Sequence, residues 1–239
     1  MDNPDLSLDE INRLEKTVRV VPADVSTALE IGFYDFRLSK LLVEKFDLVS
    51  IDLPRQVTPS DYKLAFADVQ QLPFKNDTFD ITICTEVLEH LPGEVLKKSI
   101  DELQRVSRKY VLVSVPYKQR IWNEMFKCAN CGFVGNSMGH VNYMDENRLT
   151  SLFGNTSVEG MELVGTIENY APDWLYSCAN RLGQSWCDYS FGKCPNCQQS
   201  SDAVKPNLAG HVLRRLIWRA ESIAGKRPAW VIALFKIAK

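Results

Sequence analysis

Between Thr27 and Pro116 short apolar runs alternate with stretches of helical spacing. The runs are Thr27–Ile31, Leu48–Asp52, Leu64–Asp68, Phe79–Thr85 and Val111–Pro116. They lack the polar alternation of a half-exposed strand, so they predict strands buried on both faces, joined by crossover helices in a parallel sheet. One helix is expected over Asp35–Lys45. A second, over Gly93–Ser107, has Val95, Leu96, Ile100, Leu103 and Val106 on one side and charged residues elsewhere. Ahead of the first run, Ser7-Leu-Asp-Glu10 has capping-box spacing, and Leu8, Ile11 and Leu14 give a helical stripe.

Beyond Pro116 the alternation stops. Tyr117–Tyr143 is rich in Asn, Gly, Cys and aromatic residues, as a functional loop would be. A short helix near Asp145–Phe153 and an edge-like strand, Met161–Ile167, follow. Ala171–Leu208 reads as irregular, Gly210–Ala224 as a basic amphipathic helix, and Trp230–Ile237 as a final strand. No internal repeat or low-complexity tract interrupts this order.

A length of 239 residues suits one core with an elaborated insert, and 45% hydrophobic with 24% charged residues excludes disorder, collagen and coiled coil. The net charge of −2 argues against a generic nucleic-acid coat, but it averages two unlike parts. Ala203–Lys239 carries eight Lys/Arg against one acid, which leaves −9 on the remainder. The basic stretch could touch a phosphate-bearing partner. There is no leader-like opening and no apolar run near 18 residues, so a cytoplasmic protein without a transmembrane segment is expected. Four of the seven cysteines form Cys-x-x-Cys pairs, which in a reducing compartment suggests metal rather than disulfides.

The first run, Ala28-Leu-Glu-Ile-Gly32, ends in a glycine with a helix following, so a ligand can approach backbone amides where open α/β sheets bind ligands. The second ends at Asp52, placed to accept hydrogen bonds from a ribose. Asp68 closes the third, and the fourth leads into Glu86-Val-Leu-Glu89-His90-Leu. A single acid at a strand end is commonly a helix cap or a solvated loop residue. Three in register make one crevice.

These motifs, over roughly Thr27–Pro116, resemble those of the class I S-adenosylmethionine-dependent methyltransferases: an E-x-G-x-G loop, a ribose acid, an adenine-side acid and an "FD…EVLEHL" segment. The resemblance implies that Glu30 and Gly32 line the methionine end, Asp52 holds the ribose hydroxyls, Asp68 and Val69 flank the adenine, and Thr85 and Glu86 close the pocket beside the sulfonium. In one place the chain departs from the family: Gly32-Phe-Tyr34-Asp-Phe36 stands where further glycines are usual. A positive φ at Tyr34 would cost on the order of 1 kcal/mol, so the loop is expected to follow a modified path, and a catalytically silent, partner-binding module is the alternative it raises.

Glu86-x-x-Glu89-His90 carries a second meaning, because two carboxylates and an imidazole within five residues can converge on a hard divalent ion such as Mg2+. The segment is similar to those of ubiquinone-pathway O-methyltransferases and small-RNA 2′-O-methyltransferases, the latter with a later histidine that His140 matches. The resemblance implies a catalytic ion held by Glu86, Glu89, His90 and His140. His90 or His140 acting as a metal-free base, and Glu89 with His90 capping the next helix, stay open beside it.

Cys128-Ala-Asn-Cys131 and Cys194-Pro-Asn-Cys197 predict a structural zinc site, because the turn within each pair aims both sulfurs at one point. Cys84 reads as core, and Cys178 and Cys187 as core or spare ligands. In the basic helix Arg214, Arg215 and Arg219 flank an apolar face, which reads as a docked helix or as one that contacts phosphate or anionic lipid. The expectation is a single domain over 1–239, α/β with a Rossmann-like seven-stranded mixed sheet whose last strand is antiparallel. Its parts are a cofactor core at 22–116, a zinc-stapled lid from 117–143 and 171–208, and a basic helix with the last strand at 209–239. The expected function is methyl transfer from S-adenosylmethionine to a small-molecule or sugar hydroxyl. RNA 2′-O-methylation is the alternative acceptor chemistry.

Overall fold

The computed structural model describes residues 6–33, 35–54, 62–189, 192–199 and 204–238. In chain order the elements are α1 (Leu8–Arg19), β1 (Thr27–Ile31), α2 (Arg37–Val43), β2 (Asp47–Asp52), β3 (Lys63–Phe66), β4 (Phe79–Thr85), a 3-10 turn (Leu88–His90), α3 (Gly93–Val106), β5 (Ser107–Pro116), β6 (Met125–Lys127), β7 (Val134–Asn136), α4 (Glu146–Leu152), β8 (Thr156–Glu168), α5 (Asp173–Arg181), α6 (Leu208–Ala224) and β9 (Lys226–Ile237). The large sheet has seven strands in the order β3-β2-β1-β4-β5-β9-β8. β1 pairs in parallel with β2 and β4, as the sequence pattern predicts, and β9 runs antiparallel to β5, as expected of the last strand.

The chain forms two compact units: one of residues 1–118, 144–165 and 228–239, the other of 119–143 and 166–227. In the first, hydrophobic clusters cover both faces of the sheet. Val111, Val113 and Val115 of β5 enter one cluster and Tyr110 and Leu112 the other, which is why its strands show no polar alternation. Where the strands begin, Asp80 accepts hydrogen bonds from the Ser26 and Thr27 amides at 3.0 and 3.2 Å and from Ser26 Oγ at 2.8 Å. Burial opposes ionisation, yet these donors and Lys109 outweigh it and hold the Asp80 carboxyl at about 2.

The capping box of α1 forms, but its inward face is Leu14, Thr17 and Val18; Leu8 is 85% exposed and Ile11 39%. Of the expected stripe only Leu14 is therefore on the side on which the helix packs. β3 stops before Asp68, because the Asp68 carboxylate accepts from the Gln70 amide at 2.9 Å and turns the chain out of the sheet. β5 and β8 run longer than expected.

In the second unit the expected loop contains the β6–β7 hairpin, and the stretch expected to be irregular contains α5. α5 packs on α6 through Leu175 and Tyr176 against Leu213, Ile217 and Ala220. The connection is tight at two glycines: a Cβ on Gly183 would lie 2.4 Å from Gly210 Cα. No helix among the described residues is long and apolar enough to cross a membrane.

Candidate functional site

Two cavities open at the carboxyl ends of β1, β2 and β4, both lined by Gly32 and Glu86. The larger, about 310 Å3, is walled by Ile31, Ile51, Asp52, Asp68, Val69, Val87 and His90 among others. The smaller, about 200 Å3, is walled by Arg13, Glu30, Phe33, Phe36, Arg37 and Thr85 among others. Glycine is required where they meet. Gly32 has φ +86°, its amide donates to the Ile51 carbonyl at 2.9 Å, and a Cβ there would lie 2.6 Å from Val87 Cγ2.

The altered loop is held by aromatic rings. Phe36, at the N-cap of α2, has φ +60°, a left-handed conformation that costs a non-glycine residue on the order of 1 kcal/mol. Its ring stacks on Phe33 at 5.0 Å and on Tyr62 at 5.6 Å between centroids, and these contacts offset the strain. Tyr34, where the sequence placed that strain, lies outside the described residues.

Glu30 is buried at the base of the smaller cavity, and its Oε2 accepts from Ser39 Oγ and Ser50 Oγ, both at 2.6 Å. It thereby ties β1 to α2 and β2. Burial raises its pKa despite the two hydroxyls. Glu86, at φ +56°, accepts from Trp230 Nε1 at 3.0 Å through Oε2, while Oε1 lies 3.6 Å from Arg13 Nη1. The Arg13 guanidinium also sits 5.3 Å from the centre of the Trp230 ring. Burial raises the Glu86 pKa against the pull of Arg13 and Trp230. Arg13 and Trp230 were not singled out in the sequence, and no short motif marks either; each comes from an element distant in the chain.

Glu89 is 1% exposed, and both its carboxylate oxygens are buried without a hydrogen-bond partner. Burial, and then the charge of Glu86, push its pKa well up. His90 offers a ring nitrogen within 4.8 Å of a Glu89 oxygen. The N-cap of α3 is Pro92, so neither Glu89 nor His90 stands at that position. His140 belongs to the second unit, where its Nδ1 meets Gln119 Oε1 at 2.5 Å. Cys84 is fully buried in β4, and burial raises its thiol pKa.

In the second unit Cys128, Cys131, Cys194 and Cys197 bring their sulfurs within 4.8 Å of one another. The Cys128–Cys197 and Cys131–Cys194 separations are 3.9 and 3.7 Å. A disulfide needs about 2 Å, whereas a tetrahedron of thiolates bonded at about 2.3 Å has edges of about 3.8 Å. The set is capable of metal coordination. Each pair folds the same way: the amides of Gly132 and Gln198 donate to the Cys128 and Cys194 carbonyls at 3.0 and 2.9 Å, both from left-handed residues at φ +73° and +59°. Asn196 Nδ2 donates to Cys131 Sγ at 3.6 Å and helps lower that thiol to about 6. Cys178 and Cys187 stand outside the cluster.

The profile of the methyltransferase domain family matches residues 29–115. No curated protein matches the chain. Among solved structures, the N-methyltransferase NodS of Bradyrhizobium japonicum WM9, in complex with S-adenosyl-L-homocysteine, is similar at 17% identity and TM-score 0.55, over 100% of this chain and 94% of that one. A SAM-dependent methyltransferase of Archaeoglobus fulgidus is similar at 12% identity and TM-score 0.55, over 94% and 91%. The 1,6-didemethyltoxoflavin-N1-methyltransferase of Burkholderia thailandensis is similar at 10% identity and TM-score 0.53, over 95% and 78%. With the strand order, the crevice acids and the domain match in agreement, this chain has the class I S-adenosylmethionine-dependent methyltransferase fold.

Proposed function

We propose that the protein binds S-adenosylmethionine in the paired cavities and methylates an oxygen nucleophile, a small-molecule or sugar hydroxyl. The observation that carries this reading is the meeting of the two cavities at Gly32 and Glu86, with Asp52 and Asp68 along the larger one. Asp52 would accept from the ribose hydroxyls, Asp68 and Val69 would flank the adenine, and Glu30, Gly32 and Thr85 would line the methionine end. Arg13 and Arg37, which line the smaller cavity, supply positive charge for a carboxylate. Bound there, the cofactor supplies an electrophilic methyl group on a sulfonium. Glu86 would set a carboxylate beside that cation, and its raised pKa would fall as the positive charge arrives.

A divalent ion at Glu89 and His90 is the second part of the proposal. It is supported by the orphaned oxygens of Glu89, a donor set that suits a hard cation. Such an ion supplies Lewis acidity toward an acceptor hydroxyl. The cysteine cluster would hold a structural zinc ion. Isothermal titration with S-adenosylhomocysteine tests the core of the reading: one site per chain is expected, with Asp52→Ala weakening it about tenfold through lost charge-assisted hydrogen bonds. Absence of binding to the wild-type chain would refute it.

A further inference from the structure

The helix α6 is apolar on two neighbouring sides, and α5 covers only one of them. Leu213, Ile217 and Ala220 face α5. On the other side Leu208, Val212, Leu216 and Ile223 are 82, 52, 49 and 79% exposed. At about 100° per residue these four fall within an arc of about 80°, so they form a continuous stripe rather than scattered contacts. Trp218 is 71% exposed as well. An outward stripe of this kind on a folded chain marks an interaction surface.

Charge indicates which kind of partner fits. Arg215 flanks the stripe and Arg219 falls within its arc, and no ion pair among the described residues involves either. Arg214, by contrast, is spent internally on Ser185 Oγ and the Trp186 carbonyl, at 2.5 and 2.7 Å. Glu221, the only acid of α6, accepts a hydrogen bond from the Tyr176 hydroxyl on α5. The outward face is thus apolar and cationic with no acid on it.

We propose that the outward face of α6 docks the protein on the surface of an anionic lipid bilayer. The stripe would sink into the boundary between headgroups and acyl chains while Arg215 and Arg219 meet lipid phosphates, the helix lying in the plane of the surface. A nucleic acid would leave the aliphatic side chains in water, whereas the bilayer interface takes both parts of the face. This inference is independent of the methyl-transfer reading.

The test is sedimentation of the full-length chain with vesicles of phosphatidylcholine, alone or mixed with phosphatidylglycerol. Partition into the mixed vesicles is expected, falling as salt rises. Arg215→Gln and Arg219→Gln should each weaken it about fivefold, and Leu216→Glu with Ile223→Glu should abolish it. All four positions are exposed, and far-ultraviolet dichroism with cooperative unfolding verifies that the variants fold. Failure of the wild-type chain to sediment with mixed vesicles would overturn the proposal. So would arginine effects without any effect of the Leu216 and Ile223 changes, which indicates phosphate contact alone. Self-association abolished by Leu216→Glu, in the absence of vesicle binding, would assign the face to a second copy of the chain.

Discussion

Replacing Gly32 with alanine separates two costs that the structure places on one atom. At φ +86° an L-residue is strained by roughly 1–2 kcal/mol wherever its side chain points. The new Cβ would also lie 2.6 Å from Val87 Cγ2, and the hydrogen bond from the Gly32 amide to Ile51 prevents the backbone from yielding. Overpacking of that kind costs about 1–3 kcal/mol. Gly32→Ala is therefore expected to destabilise the chain by about 3 kcal/mol in equilibrium urea unfolding. It should also weaken S-adenosylhomocysteine more than tenfold, because Gly32 lines both cavities. Val87→Ala removes the overlap and not the backbone strain. In a double-mutant cycle the two substitutions should couple by about 1–2 kcal/mol, with binding partly restored and the strain component left. A coupling near zero, or a Gly32→Ala chain that unfolds at the wild-type midpoint and binds the nucleoside normally, would refute both the contact and the place of Gly32 at the wall.

Asp80→Asn should cost about 2 kcal/mol at neutral pH, since the carboxyl is held at about 2 instead of 3.8 and each pH unit is worth about 1.4 kcal/mol. Because the folded pKa is depressed, that stability is present above about pH 4 and lost as pH falls toward 2; an Asn variant as pH-sensitive as the wild type over this window would contradict the assignment. Glu89→Met should stabilise the metal-free chain above the usual carboxylate range, where the buried acid is penalised by its raised pKa, and should eliminate Mn2+ binding measured by calorimetry. Loss of stability without loss of ion binding would count against both statements. Removing metal with a chelator should make Cys128, Cys131, Cys194 and Cys197 reactive toward a thiol reagent while Cys84 stays protected; reactivity of the four before chelation would rule out a bound ion.

The parallel core was legible because burial on both faces imprints itself on short runs. β1 and β4 have the expected bounds, Thr27–Ile31 and Phe79–Thr85, with nearly every residue buried. The crevice residues Gly32, Asp52 and Asp68 were legible for the related reason that ligand sites sit at strand ends in this architecture. Elements whose faces are shared between a core and something else were harder. α1 shows its clearest apolar spacing at Leu8 and Ile11, which face solvent, and so concealed Arg13, which lines the smaller cavity. α5 went unseen because a nine-residue helix with Cys178 and Asn180 in its second half has little periodicity to read. The partnership of Glu86 with Trp230 spans 144 residues, and no local pattern encodes it. The cysteine pairs were the opposite case, since the chemistry of a thiolate knuckle is fixed within four residues.

The position of β9 has a consequence for how the protein is made. It follows every other strand among the described residues, yet it lies inside the sheet, between β5 and β8. While the ribosome is still delivering residues beyond α6, β8 has no neighbour to pair with and β5 presents an open hydrogen-bonding edge. The nascent molecule must tolerate that exposed seam from the completion of β5 onward and close it only when Lys226–Ile237 emerges.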